Sequence, residues 1–138
     1  MKILLTVIMT WLSSNFDLPV THEQPDVKFV THQQMAEIRL GPLATSPGYE
    51  LVAIYEDRSK TIFLSDRWTG DTPADVSVLV HEIVHHLQNV GKLNYSCPEA
   101  REALAYAAQE QWLSMFGQSL QKAFDLDPLT LKVKTACM

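Results

Sequence analysis

Two stretches of this chain carry signals for where a helix starts and where it stops, and they constrain the fold more than any other feature. Thr72-Pro73-Ala74-Asp75 sets a hydroxyl residue, a proline and an acid in the order that satisfies the free N–H groups of a first helical turn, and Gly91 follows as a stop. Ser96-Cys97-Pro98-Glu99 repeats the arrangement, with its stop near Gly117. Both segments are expected to be helices that open with a capping box and return on one another as an antiparallel pair.

The remaining elements read less sharply. Residues 3–12 are mostly apolar behind Lys2, which resembles the start of a signal peptide. No small-x-small cleavage site follows, however, and Lys2, Thr6, Thr10, Ser13 and Ser14 form a polar stripe at helical spacing. A core-packing amphipathic helix is the expectation. Val27–Val30 reads as a short strand and His32–Leu40 as a short helix ended by Gly41-Pro42. Thr45-Ser46-Pro47-Gly48 reads as a turn, and Leu51–Tyr55 and Thr61–Leu64 as the two arms of a hairpin. Ser119–Phe124 is expected to add a helical turn and Leu129–Thr135 a terminal strand. The expected class is α+β, with a small mixed sheet packed on the two capped helices in one domain spanning residues 1–138.

The first capped helix carries His81-Glu82-Ile83-Val84-His85. Histidines four apart lie on one helix face with Cβ atoms about 5–6 Å apart, which suits two ligands of one zinc ion. A carboxylate next to the first of them is placed to take a proton from a zinc-activated water, so Glu82 is the candidate general base. Such a string arises by chance in on the order of one chain of this length in a few hundred. Here it falls mid-helix, between apolar residues. Helical geometry puts Val76, Leu79, Val80, Ile83, Leu87 and Val90 on a core-facing side and Ala74, Ser77, His81, His85 and Gln88 on the other, facing a cleft. The plain alternative is a pair of surface histidines beside a solvated acid.

A catalytic zinc needs a third protein ligand and an open fourth position. The second capped helix has an inner stripe of Ala105, Tyr106, Gln109, Trp112, Leu113 and Phe116, with Glu102 near its centre, 17 residues after His85. A carboxylate aimed into an apolar interface needs a cation, and zinc is the expected one. Pairing of Glu102 with Arg101, Lys92 or a backbone group is the alternative. His86 falls toward the apolar back of its helix and is expected to be packed or to support a ligand. His22 and His32 are expected at the surface. Tyr95, Tyr106 and Gln109 are possible donors to a developing oxyanion, with burial the commoner fate of such residues.

Composition removes other classes. With a net charge of −5 and a pI near 5.4 the chain lacks the basic surface that nucleic acid requires. No apolar run approaches the roughly 20 residues of a membrane span. Cys97 and Cys137 match no metal or redox spacing; a single disulfide and two buried thiols are both open readings.

Val80-His81-Glu82-Ile83-Val84-His85, followed by Glu102-Ala103-Leu104-Ala105, resembles the zincin metallopeptidases and, among them, the gluzincins, in which a Glu on a second helix completes the site. From Phe16-Asp17-Leu18-Pro19 through Trp68-Thr69-Gly70 and Cys97-Pro98 to Thr135-Ala136-Cys137, nearly the whole chain is similar to a bacterial zincin-like family, domain-of-unknown-function family 6647. The resemblance implies a minimal zincin-like fold, one zinc ion held by His81, His85 and Glu102, and Glu82 as base. Larger gluzincins close the cleft with a further domain, for which a chain of this length has no room, so folded proteins are disfavoured as substrates. Members of that family are often exported, whereas here the first helix begins almost at Met1, and the compartment stays open between cytoplasm and export.

The reading is therefore a zinc-dependent metallopeptidase acting on a peptide or protein substrate, an extended peptide being held by strand addition at a sheet edge. Its rival is a zinc-stabilised binding or scaffold domain with a closed metal site; a helical interaction domain without metal is the third possibility. Substrate preference and oligomeric state are not encoded in any local pattern.

Overall fold

A computed structural model describes residues 1–41 and 52–138. The expected turn at residues 45–48, and Leu51, lie outside the described residues. The order of elements is α1 (Lys2–Asn15), β1 (Asp26–Val30), α2 (His32–Leu40), β2 (Ala53–Glu56), β3 (Thr61–Ser65), α3 (Pro73–Val90), α4 (Pro98–Ser114), α5 (Leu120–Phe124) and α6 (Pro128–Thr135). This is the expected α+β class, six helices and a three-stranded mixed sheet among the described residues.

The sheet runs in the order β1-β3-β2. Strand β3 lies parallel to β1 and antiparallel to β2, the hairpin register pairing Glu56 with Thr61 and Ala53 with Leu64. Ile62 and Leu64 are wholly buried and point the sheet's apolar face at the helices. Helix α1 buries Leu5, Ile8, Met9 and Leu12, the i, i+3, i+4, i+7 positions of one face, while Lys2, Thr6, Thr10 and Ser14 stay exposed. This is the amphipathic helix expected from the sequence.

Helix α3 is the axis of the molecule. Every residue from Leu79 to Gln88 is buried, because α1 and the sheet cover one side and α4 the other. Each fully buried Leu, Ile or Val stabilises the fold by about 1.5–3 kcal/mol relative to exposure, and α3 contributes five such residues to one cluster: Leu79, Val80, Ile83, Val84 and Leu87. The expected split into core side and cleft side is thus only partly right, since Ser77 and Gln88 on the histidine side are buried too.

The caps also differ in detail. Thr72 accepts the Asp75 N–H at 3.1 Å, but the Asp75 carboxylate takes the Thr69 hydroxyl at 3.0 Å instead of closing a capping box. Gly70, at φ +73, lies so close to the Trp68 ring that a Cβ there would meet it at 2.7 Å. The cap of α4 is Cys97, one residue past the expected Ser96, with Sγ accepting the Ala100 N–H at 3.3 Å. Phe116, assigned to the inner stripe, is 51% exposed because α4 ends at Ser114.

Residues 128–135 are helical, contrary to the terminal strand expected over Leu129–Thr135. Asp127 caps α6 by accepting the Thr130 N–H at 2.7 Å, and Pro128 supplies the preset φ of a first helical position. That start signal outweighs the weak β preference of the branched residues. No residue of α6 is buried. Its end is tied to the start of α4 by a Cys97–Cys137 disulfide with a Cα separation of 5.8 Å.

Candidate metal centre

The antiparallel packing of α4 on α3 brings three side chains to one point. His81 Nε2 lies 2.8 Å from Glu102 Oε2, and His85 Nε2 lies 3.1 Å from both carboxylate oxygens. The donor atoms of His81, His85 and Glu102 all fall within 4.8 Å of one another, and this group can hold a metal ion. The two rings stand edge to face with centroids 5.1 Å apart. Both histidines are buried, and the Glu102 side chain is 36% exposed.

The electrostatics fit a cation. Burial opposes ionisation of Glu102, but its bonds to His81 and His85 outweigh that and hold its carboxyl far below the usual carboxylate range. Burial likewise pulls the His85 imidazole down, yet Glu102, the neighbouring Glu82 charge and Gln88 together raise it above its ordinary value. Two imidazole nitrogens and a carboxylate are donors that divalent metal ions accept.

The three residues stand in the wall of a cleft of about 560 Å³. Glu82 lines the same cleft; it is 8% exposed, and its carboxylate has no hydrogen-bonding partner among the described residues. Tyr106, one turn beyond Glu102, also faces the cleft and packs its ring edge-on against His81 at 4.6 Å. Ala53, Ile54 and Tyr55 of β2 form the opposite side, and Arg39 and Lys134 contribute from α2 and α6.

The alternatives weighed for Glu102 are not taken up. Arg101 turns away to Asp57, bonding both carboxylate oxygens at 2.8 and 2.6 Å. His86 is fully buried and takes no part in the cluster: its Nε2 meets the Glu23 carbonyl at 2.7 Å and its Nδ1 the Tyr55 hydroxyl at 2.9 Å. His22 is exposed and His32 half-buried, and the cluster includes neither. Of the three oxyanion candidates, Gln109 is occupied with the Nδ1 of His81 at 2.9 Å, and Tyr95 accepts a bond from Gln88 at 3.0 Å.

Sequence reasoning passed over Gln88, whose Oε1 lies 2.8 Å from His85 Nδ1, and gave Arg101 no supporting role. The signal for Gln88 was present in its i+3 spacing from His85 on the same helix face. For Arg101 there was none, since its partner Asp57 is 44 residues away.

A family model described as "Domain of unknown function (DUF6647)" matches residues 1–138, and the chain belongs to that family. No curated protein and no solved structure matches it. No helix among the described residues is long and apolar enough to cross a membrane, and the disulfide is compatible with an exported protein.

Proposed function

We propose that this family member is a zincin-type hydrolase that cuts peptide or amide bonds with one zinc ion held by His81, His85 and Glu102. The observation that carries the reading is the convergence of two imidazole Nε2 atoms and a carboxylate within 4.8 Å on a cleft that Glu82, without a hydrogen-bonding partner among the described residues, also lines. Zinc at that point supplies Lewis acidity toward a carbonyl and an attacking water.

The chain's own residues supply the rest. Glu82 takes the proton from the attacking water and later returns it to the departing amine, so one carboxylate serves as base and then acid. Among the described residues β2 pairs on one side only, with β3, and its residues 53–55 line the cleft. An extended peptide laid along that edge would gain main-chain hydrogen bonds and bring its carbonyl to the centre. Three protein donors among the described residues favour turnover over a closed four-ligand structural site.

The test combines metal analysis with turnover. Protein purified without an affinity metal column is expected to hold about one zinc per chain by plasma mass spectrometry, and to cut members of a peptide library. Glu82→Gln is expected to keep the zinc and lose cleavage. Zinc-loaded wild type that cuts nothing, or a Glu82→Gln variant as active as wild type, removes the hydrolase reading.

A further inference from the structure

Two hydrogen-bond chains run outward from the rings, and each has its direction set at a backbone carbonyl, which can only accept. The Ser77 hydroxyl lies 2.7 Å from the Ala74 carbonyl and must donate its proton there. The same Ser77 oxygen lies 3.2 Å from Gln109 Nε2, and with its proton committed it accepts from the amide N–H. That identifies the NH₂ end of Gln109 and leaves its Oε1 facing His81 Nδ1 at 2.9 Å. An amide oxygen accepts, so Nδ1 of the His81 ring carries a proton.

The second chain is independent of the first. Gln88 Nε2 lies 3.0 Å from the Arg101 carbonyl, so this end of the amide is the donor. Gln88 Oε1 accepts from Arg101 Nε at 3.2 Å, which requires the same orientation, and faces His85 Nδ1 at 2.8 Å. Nδ1 of the His85 ring therefore carries a proton as well.

We infer that Gln88 and Gln109 are positioning residues that hold both imidazoles as the Nδ1–H tautomer, aiming two Nε2 lone pairs and the Glu102 carboxylate at one point. The two Nε2 atoms lie 2.8 and 3.1 Å from the Glu102 carboxylate, and the donor atoms of all three residues lie within 4.8 Å of one another; with Nδ1 already protonated, loss of the Nε2 proton leaves three lone-pair donors facing one point, so the folded chain is arranged for the ion before it arrives. Outer hydrogen bonds of this kind typically carry a 10- to 100-fold share of metal affinity. The inference rests on the zinc reading for its consequence, though not for the tautomer itself.

The experiment has two arms. Nitrogen-15 imidazole spectra of the metal-free wild type, recorded on the alkaline side of histidine titration, are expected to show His81 and His85 protonated at Nδ1. Spectra in which Nδ1 of either ring carries no proton overturn the inference whether or not zinc binds. In the second arm, zinc affinity is read by competition with a chromophoric chelator. Gln109→Leu and Gln88→Leu, which lose the acceptor, are expected to bind zinc about 10- to 100-fold more weakly. Gln109→Glu, which keeps an acceptor, is expected to stay near wild type. Should a leucine variant fail to fold, Ser77→Ala frees the Gln109 amide and is expected to weaken zinc binding while leaving Gln88 untouched. Wild-type affinity in the folded Gln→Leu variants, or in Ser77→Ala, overturns the positioning role; a wild type that binds no zinc overturns the metal reading instead.

Discussion

Arg101 and Asp57 stand 44 residues apart and form a two-pronged ion pair, while the same guanidinium donates to Gln88 Oε1 at 3.2 Å and to the His85 carbonyl at 3.0 Å. The tip of the β2–β3 hairpin is thereby joined to the outer side of one metal-site histidine. Arg101→Met is expected to weaken zinc binding several-fold. The ion pair itself is partly exposed and contributes about 1 kcal/mol or less to stability. In a double-mutant cycle with Asp57→Asn, read by chelator competition, the second substitution should add little to the first. Additive losses would show that the two residues act separately.

Of the three proposed ligands, Glu102 is the one whose removal leaves the fold most nearly intact, because its side chain is the most exposed. Glu102→Gln keeps its size and removes its charge. The expected result is a large loss of bound zinc by plasma mass spectrometry with a near-native circular dichroism spectrum. Full zinc occupancy in the variant would place the third ligand elsewhere.

His86 predicts an acid-side loss of stability. Burial, opposed by the bond to the Glu23 carbonyl, lowers its imidazole from the ordinary value of 6.5. The unfolded chain therefore takes up a proton at higher pH than the folded one, and stability rises with pH over that interval. Its contribution is complete above about pH 6.5 and is lost as pH falls below that value toward the lowered folded-state value. Calorimetric melting of metal-free protein should show a fall in Tm across this window that is shallower in His86→Gln. Parallel curves for the two proteins would remove His86 as the cause.

Reduction of the Cys97–Cys137 disulfide opens a link across a sequence separation of 40 residues. Chain-entropy reasoning puts its stabilisation at about 4 kcal/mol. Because no residue of α6 is buried, the expected response is local: Cys137→Ser should lower Tm and expose residues 128–138 to protease, while zinc content stays near wild type. Loss of zinc in that variant would mean that α6 supports the centre itself.

The sequence by itself determined what depends on spacing along one element. Helices α3 and α4 follow from their start and stop residues, α1 from its apolar period, the hairpin from its branched runs, and the shared face of His81 and His85 from the helical repeat. Glu102 was also legible, as an acid on an otherwise apolar stripe. Where local signals competed they misled: Leu129–Thr135 was expected as a strand despite the Asp127-Pro128 helix start, and Ser96 was expected as the cap in place of Cys97. Only the tertiary structure decided that Glu102 meets both histidines, that Gln88 and Gln109 close behind them, and that Cys97 finds Cys137. Those pairings depend on the angle and depth at which α4 packs on α3 and on the hairpin's place beside them. Such quantities arise from the burial of the whole core, and no residue's immediate neighbours in the chain encode them.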